Sequence, residues 1–326
     1  MRLRRFGALA LSLVAVVAIM VSAPLASAQQ AWPTRPVKLI LTLGPGSGAD
    51  IAARLLADRL AQRWGQPVIV ENRPGGDGIV AINAFVTAHD DHVLLFAPTS
   101  SFTAHPFLHE NLPYKPADLV PIARVSNTIV AISVPASLNV GSLDQLVALA
   151  RAQPGKLNWA GLTGALDFLL AGWLQQENLN ITKVAYKNPV DAANDVAEGR
   201  VQLYESAFAI VRPQVESGKI KVLAVTNTMP PSQPKVPTVK EAGYPALTVD
   251  GLVGFFGPTG MPRDLRDRIT ADIRAVADDT IKARLAATGQ IVNIGGPDDF
   301  AKSIEEQRSQ VAKFAEQLGV KPLPQN

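Results

Sequence analysis

Short apolar, β-branched runs alternate along this chain with stretches whose apolar positions recur every three or four residues. Val37-Lys38-Leu39-Ile40-Leu41-Thr42-Leu43 reads as a strand, and Asp50 to Trp64, with Ile51, Leu55, Leu56 and Leu60 at helical spacing, reads as a helix. Val68-Ile69-Val70 is the next strand, ended by Asn72-Arg73-Pro74-Gly75-Gly76, where proline and glycine enforce a loop. A helix from about Gly78 to Ala88 leads to the strand Val93 to Ala97. The pattern then restarts with strands at Val130 to Val134, Leu157 to Ala160, Lys183 to Tyr186, Val201 to Glu205 and Lys221 to Thr226. Helices at Ser142 to Ala152, Phe168 to Asn178 and Ala192 to Glu198 separate the first four of these. Asn227 to Pro237, rich in Pro, Ser and Gln, reads as a surface loop, and long helices close the chain at Arg263 to Asp278 and Pro297 to Leu318. Strands and helices in this order predict an α/β fold of mainly parallel sheets with helices on both faces, whose ligand site lies beyond the carboxyl ends of the strands.

The opening apolar run is of another kind. Arg2, Arg4 and Arg5 precede Phe6 to Val21, which is too short to span a bilayer stably, and Ala26-Ser27-Ala28 offers small residues for cleavage. A secretory signal peptide over 1–28, cut near Ala28, is expected, and with it a periplasmic location. The leader also explains the charge. The chain carries 31 Lys+Arg against 28 Asp+Glu, and the leader holds three arginines and no acid, so the remainder is balanced at 28 against 28. A neutral body gives no support to a nucleic-acid surface. Cysteine is absent, so an exported fold of this length rests on ordinary hydrophobic cores, two domains being the default.

Gly44-Pro45-Gly46-Ser47-Gly48-Ala49 fits G-x-G-x-x-A, and Glu71 ends the second strand, where a dinucleotide-binding fold keeps its ribose-binding acid. Export argues against a freely exchanging nicotinamide cofactor, and no cofactor is expected. The general chemistry remains: a glycine-rich turn lets backbone N–H groups approach an anion, and the helix starting near Asp50 points its positive end there. Asp50 has two readings, N-cap of that helix or direct ligand contact. Ser47 lacks a G-x-S-x-G frame. The four histidines, His89, His92, His105 and His109, read as solvated or structural, Pro106 being expected to break the helix that a two-histidine metal pair needs. No metal site or catalytic set is expected.

Several blocks occur in an order that resembles the extracytoplasmic solute receptors of the tripartite tricarboxylate transporter class, the Bug receptors. Trp32-Pro33-Thr34-Arg35-Pro36 is similar to their opening strand, Gly44 to Asp50 to their P-P-G-G-x-x-D turn, and Gln66-Pro67-Val68-Ile69-Val70-Glu71-Asn72-Arg73-Pro74-Gly75-Gly76 to their G-Q-P-V-V-V-E-N-R-P-G-A/G signature. Leu112-Pro113-Tyr114, Pro154 to Ala160, Leu223 to Thr226 and Val236 to Gly243 match further blocks. The resemblance implies a two-lobed Venus-flytrap receptor without catalysis that clamps a small organic carboxylate between its lobes and delivers it to the membrane subunits of a tripartite tricarboxylate-type transporter. A monomer is expected. Lobe 1 is expected over 29–127 and 252–326 and lobe 2 over 128–251, the chain crossing near Ser126 to Thr128 and again near Asp250 to Leu252. A ligand sensor for a signalling partner and an exported enzyme are the alternatives.

The resemblance further implies that the first-strand turn holds one carboxylate through backbone groups and bridging waters, here around Leu43, Pro45, Gly46, Ser47, Ala49 and Asp50. Thr99, Ser100 and Ser101 would add hydroxyls, and Gly161-Leu162-Thr163-Gly164-Ala165 would form the opposing turn, with Thr163, Gly164 and Ala165 at the ligand. The chain departs from the family where Ser-x-x-His is usual and Ala165-Leu166-Asp167-Phe168 stands, and where Phe-Asp is common and Glu205-Ser206 stands. Thr42 replaces a usual proline and Leu43 a usual aromatic. Alternation along the strand puts Ser206 in the site and Glu205 behind it. A less polar cleft, suited to a monocarboxylate or aromatic acid, is the expectation.

Overall fold

The computed structural model describes residues 32–162, 164–226 and 236–325, with Ser101 by its backbone alone. The leader with its expected cleavage near Ala28, Thr163, the side chain of Ser101 and most of the predicted 227–237 loop lie outside the described residues. Arg35 onward forms one compact unit. No helix among the described residues is long and apolar enough to cross a membrane.

The chain builds β1 (Val37–Leu41), α1 (Gly48–Trp64), β2 (Val68–Asn72), α2 (Ile79–Val86), β3 (Val93–Pro98), α3 (Thr99–Leu108) and β4 (Val120–Thr128) before it reaches a second sheet. There it forms β5 (Val130–Pro135), α4 (Leu143–Ala152), β6 (Leu157–Gly161), α5 (Ala165–Gln176), β7 (Ile181–Ala185), α6 (Pro189–Ala197), β8 (Leu203–Ala207), α7 (Phe208–Glu216) and β9 (Ile220–Val225). It returns as β10 (Gly251–Gly257), α8 (Arg263–Val276), α9 (Asp279–Ala287), β11 (Gln290–Gly295) and α10 (Pro297–Gln317). The first sheet has the order β11-β4-β10-β3-β1-β2 and the second β7-β6-β8-β5-β9. Each is mixed. β2, β1 and β3 are parallel, as are β7, β6 and β8, and the strands added to them pair antiparallel. The antiparallel additions include β4, β10 and β5, the strands that border the crossings between sheets.

Helix limits follow local chemistry. Ser47 caps α1, its Oγ accepting the Asp50 N–H at 3.2 Å, and Gly65, left-handed at φ 66°, ends it. The helix predicted over Arg263 to Asp278 stops at Val276 because Asp278 caps a new helix, accepting the Ile281 N–H at 2.9 Å. α3 runs through Pro106, contrary to the sequence reading. A proline this close to a helix end removes only the bond to the Phe102 carbonyl, which is why it is tolerated.

Ile129 joins the sheets. Its N–H donates to Gly289 O and its carbonyl accepts from Phe208 N, both at 2.8 Å. Beside it Gly251 lies so close to Thr128 that a Cβ would collide with the Thr128 backbone. α10, which follows the last strand of the first sheet, reaches across to α5. Phe168, Leu169 and Ala165 pack with Ala104, Val311, Phe314 and Ala315 in one buried cluster that bridges the two sheets. Each large apolar side chain buried there contributes about 1.5–3 kcal/mol.

Candidate functional site

β1 and β3 are parallel neighbours, with Leu41 paired to Phe96, so the segments that follow them emerge at one edge of the sheet. After β1 the chain makes the glycine turn and enters α1. Gly46 adopts φ +83°, a conformation open to glycine, and its N–H donates to Asp50 Oδ2 at 2.9 Å. Asp50 Oδ1 accepts from Arg54 Nε at 3.0 Å and from Asn72 Nδ2 at 2.9 Å. Asn72 also donates to Leu43 O at 2.9 Å, and Arg54 donates to Asn72 Oδ1 at 2.8 Å. Burial pushes the Asp50 carboxyl up, but the bonds from Arg54, Gly46 and Asn72 outweigh it and hold it below the usual carboxylate range. The expectation of Asp50 as N-cap is therefore corrected: Ser47 caps, and Asp50, three residues on, braces the turn from within. Its side chain is 4 % exposed and its acceptor positions are occupied by protein donors, so its charge is neutralised internally.

With Gly46 N spent on Asp50, the donors left in the first turn of α1 are the N–H groups of Gly48 and Ala49, which have no intrahelical acceptor. Leu43, Pro45 and Gly46 are exposed at the rim and Ser47 is half-buried. Gly48 backs onto Gln290, whose side chain bonds Ser126 Oγ and Thr128 Oγ1, each at 2.9 Å, at the crossing between the sheets.

α3 begins directly after β3. Thr99 is fully buried, and its hydroxyl donates to Gln307 Oε1 at 2.6 Å, so it faces α10 and not the edge of the sheet. Thr103 donates to the same oxygen at 3.2 Å, while Gln307 Nε2 donates to Asp250 O at 2.9 Å. This corrects the expected hydroxyl role of Thr99, because a buried hydroxyl takes the partner that packing supplies. Ser100 is half-buried. The first N–H groups of α3, like those of α1, point out of the carboxyl end of the sheet.

In the second sheet Gly164, at φ 91°, precedes α5. Asp167 accepts the Leu162 N–H at 2.8 Å and pairs with Lys183. Ala165 is fully buried in the cluster that bridges the sheets, so its side chain lines no cleft. Phe168 packs against Phe107 in the same cluster, ring centroids 5.7 Å apart and planes tilted by 60°, which removes it as an apolar wall for a ligand. Glu205 and Ser206 are each 4 % exposed, so exposure does not set one inside and the other out. Both Glu205 carboxyl oxygens are buried without a hydrogen-bond partner among the described residues. Burial, with Asp167 adding to it, drives this carboxyl well above the ordinary glutamate range, so the fold favours its protonated form.

The other motifs resolve plainly. Glu71 pairs with Lys38 at 3.1 Å and with Arg73, so the acid of the dinucleotide pattern is spent on surface ion pairs. A depression of about 930 Å³ lined by Arg35, His89, Asp90 and Thr259 opens at the opposite end of the first sheet. Asn72, Arg54, Gln290, Gln307 and Glu205 shape the site without having been singled out as its residues by sequence. Only the i, i+4 pair Asp50–Arg54 left a local signal.

The profile of the tripartite tricarboxylate transporter family receptor matches residues 52–320. A UPF0065 protein of Bordetella bronchiseptica is 32% identical over 320 residues, covering 95% of this chain and 93% of the relative. BugT of Bordetella pertussis is 29% identical over 297 residues, covering 89% and 91%. Among solved structures, an R. palustris protein with adipate shares 27% identity at a TM-score of 0.75, over 90% of this chain and 100% of the other. The periplasmic binding protein BugD shares 25% identity at a TM-score of 0.72, over 90% and 100%.

Proposed function

Because the chain belongs to the tripartite tricarboxylate transporter receptor family, whose members are solute-binding receptors and not enzymes, we propose that it binds a small organic carboxylate between its two lobes in the periplasm. The observation that carries this reading is the pairing of two helix starts. α1 and α3 begin at the same end of neighbouring parallel strands, so their unsatisfied N–H groups and positive dipole ends converge where an anion is stabilised. Asp50, the one acid in the turn, has its charge taken up by Arg54, Asn72 and Gly46. A ligand carboxylate then meets donors and little repulsion.

In this reading Gly48 and Ala49 donate from the backbone, Ser100 adds a hydroxyl, and Leu43, Pro45, Gly46 and Ser47 form the rim. Lobe 1 comprises 29–127 and 252–326 and lobe 2 comprises 128–251, with 1–28 removed as a signal peptide near Ala28. The monomeric closed receptor delivers its ligand to the membrane subunits of a tripartite tricarboxylate-type transporter. Gly164 and Ser206 face the ligand from lobe 2.

The second lobe favours a ligand with a single carboxylate. Its acids near the strand ends are Asp167 and Glu205, and Lys183 is already paired with Asp167. A second ligand carboxylate there would lie buried without a counter-charge, because Lys183 is already committed to Asp167 and Glu205 offers no positive charge, at a cost of several kcal/mol. The packing of Phe168 against Phe107 withdraws one argument for aromatic acids and leaves the argument from charge. A thermal-shift screen against mono-, di-, tri- and aromatic carboxylates is the test, since a ligand bound only by the folded state raises the melting temperature. Monocarboxylates are expected to give the largest shifts. Tight binding of a tricarboxylate alone would refute the single-carboxylate reading, and no response to any carboxylate would refute the ligand class.

A further inference from the structure

His105 and His109 stand one turn apart at the end of α3, and the helix that Pro106 was expected to break brings their rings to 5.2 Å. Opposite them the loop after β2 winds through four residues of positive φ, Gly75 at 132°, Gly76 at 54°, Asp77 at 55° and Gly78 at 93°. Asp77 is the one non-glycine among them, a residue type that tolerates the left-handed region. This winding sets Asp77 against α3. His105 Nε2 lies 3.1 Å from the Asp77 carbonyl oxygen and 3.5 Å from Asp77 Oδ2.

We propose that Asp77, His105 and His109 form a binding site for a divalent transition-metal ion, with zinc the ion best suited to the donor set. One ligand atom from each residue lies within 4.8 Å of the others. Four-coordinate zinc holds nitrogen and oxygen donors at about 2.0–2.2 Å, which places them roughly 3.3–3.5 Å from one another. The Asp77–His105 pair is already at that spacing, and His109 needs only a small side-chain adjustment.

A second, independent observation points to a missing partner. Asp77 Oδ2 and His109 Nε2 are buried atoms with no hydrogen-bond partner among the described residues. A buried acceptor oxygen and a buried ring nitrogen left unpaired in one cluster are a cost to the fold that a cation bound by both would remove. His105 is fully buried, and its Nδ1 is hydrogen-bonded to the Tyr114 hydroxyl. That is the outer contact by which a ligating histidine is held in orientation, and Nε2, at 3.1 Å from the Asp77 carbonyl oxygen, would exchange that contact for the metal. Two imidazoles and one carboxylate leave a fourth position for water, and imidazole with carboxylate suits a borderline ion such as zinc. Gly78 of the same loop packs against Thr42, where a Cβ would sit 3.3 Å from the threonine side chain. An ion here therefore fastens the loop that backs the first-strand turn to α3.

The test is a titration of the chelator-stripped protein with zinc chloride, followed by calorimetry and by thermal unfolding, with cobalt(II) absorption as a coordination probe. One ion per chain, a raised melting temperature and a tetrahedral cobalt spectrum are expected. Asp77→Asn keeps the backbone preference while removing the charge, and His109→Ala removes a half-buried ring. Each is expected to weaken zinc binding on the order of tenfold or more while unfolding at the wild-type temperature without metal. Asp90→Asn, in a second His/Asp group among the described residues, is the control and is expected to bind as wild type. Absence of stoichiometric binding, binding that survives both Asp77→Asn and His109→Ala, or loss confined to Asp90→Asn would each overturn the proposal.

Discussion

Asp50 accepts the Gly46 N–H at 2.9 Å and so turns the one acid of the glycine turn away from any incoming anion. The same carboxylate holds Arg54 and Asn72, tying β2 and α1 to the turn. Asn72 of the signature and the turn from Leu43 to Asp50 are thus one bonded unit in space.

Asp50→Ala is expected to destabilise the protein by roughly 2–3 kcal/mol, since hydrogen bonds to a charged group are worth more than neutral ones and their donors would be left unpaired. Urea unfolding of both proteins measures this. The contribution has a pH signature. The folded carboxyl lies below its unfolded value of about 3.9, so its stabilisation is complete above that pH and is lost as the pH falls toward the folded value. The stability gap between wild type and Asp50→Ala is expected to close on acidification, and a gap that stays constant to pH 2 contradicts this account.

Gly46→Val is expected to weaken ligand binding through the backbone. A Cβ at Gly46 meets nothing within 4 Å, so crowding is absent, but φ +83° costs a side-chain-bearing residue about 1–2 kcal/mol and a β-branched one more. The turn would relax to a negative φ and carry Gly48 and Ala49 with it. Gly46→Asn, which tolerates the left-handed region, is expected to retain most binding. Equal loss in both variants would show that the side chain and not the backbone is at fault.

Gly172→Ala tests the bridge between the sheets. In a helix interior this change ordinarily gains about 0.5–1 kcal/mol, but here the new Cβ falls well inside contact distance of the Phe314 ring. Overpacking of this kind costs about 1–3 kcal/mol, so net destabilisation is expected. Gly172 O also accepts from Gln317 Nε2 at 2.9 Å, which limits any retreat of α10. A thermally stabilised variant would mean that α5 and α10 move freely against each other.

Glu205→Gln is expected to change the pH profile of stability. The folded Glu205 carboxyl is raised well above its unfolded value of about 4.3, so folding favours its protonated form. Its contribution is complete below pH 4.3 and is lost as the pH rises toward the folded value. Glutamine keeps the shape without the titration. Wild type is expected to lose stability relative to the variant as the pH rises above about 4.3 toward the folded value, and parallel profiles would mean that Glu205 is solvated.

Ligand is expected to compact the molecule without altering its secondary structure, because the sheets are joined at Ile129 and beside it at Gly251. Small-angle scattering with and without a confirmed carboxylate measures this, and superimposable curves would remove closure from the mechanism.

Periodicity made most strands and helices readable, because β1, β3, β5 and the amphipathic α4 announce their buried faces within a few residues. β4 went unread because Pro121 and Arg124 interrupt its apolar pattern and register shifts break its pairing with β10 and β11. β10 was marked only as the return point near Asp250 to Leu252. Its Gly-rich run Gly251 to Gly257 pairs on both sides, and the small residues that admit this close approach give no strand signal. α3 was hidden by Pro106, whose cost depends on how soon the helix ends.

The sequence by itself determined the α/β alternation, the family, and the turn at Gly44 to Asp50, since these rest on local spacing and ordered motifs. Tertiary structure alone decided what each polar group in the site does. Thr99 was expected to offer its hydroxyl to a ligand and instead bonds Gln307, 208 residues away; Asp50 bonds Asn72, 22 residues on; and Asp77 meets His105 across 28. A buried hydrogen-bonding group must find a partner wherever packing provides one, and no local pattern encodes which distant residue that will be.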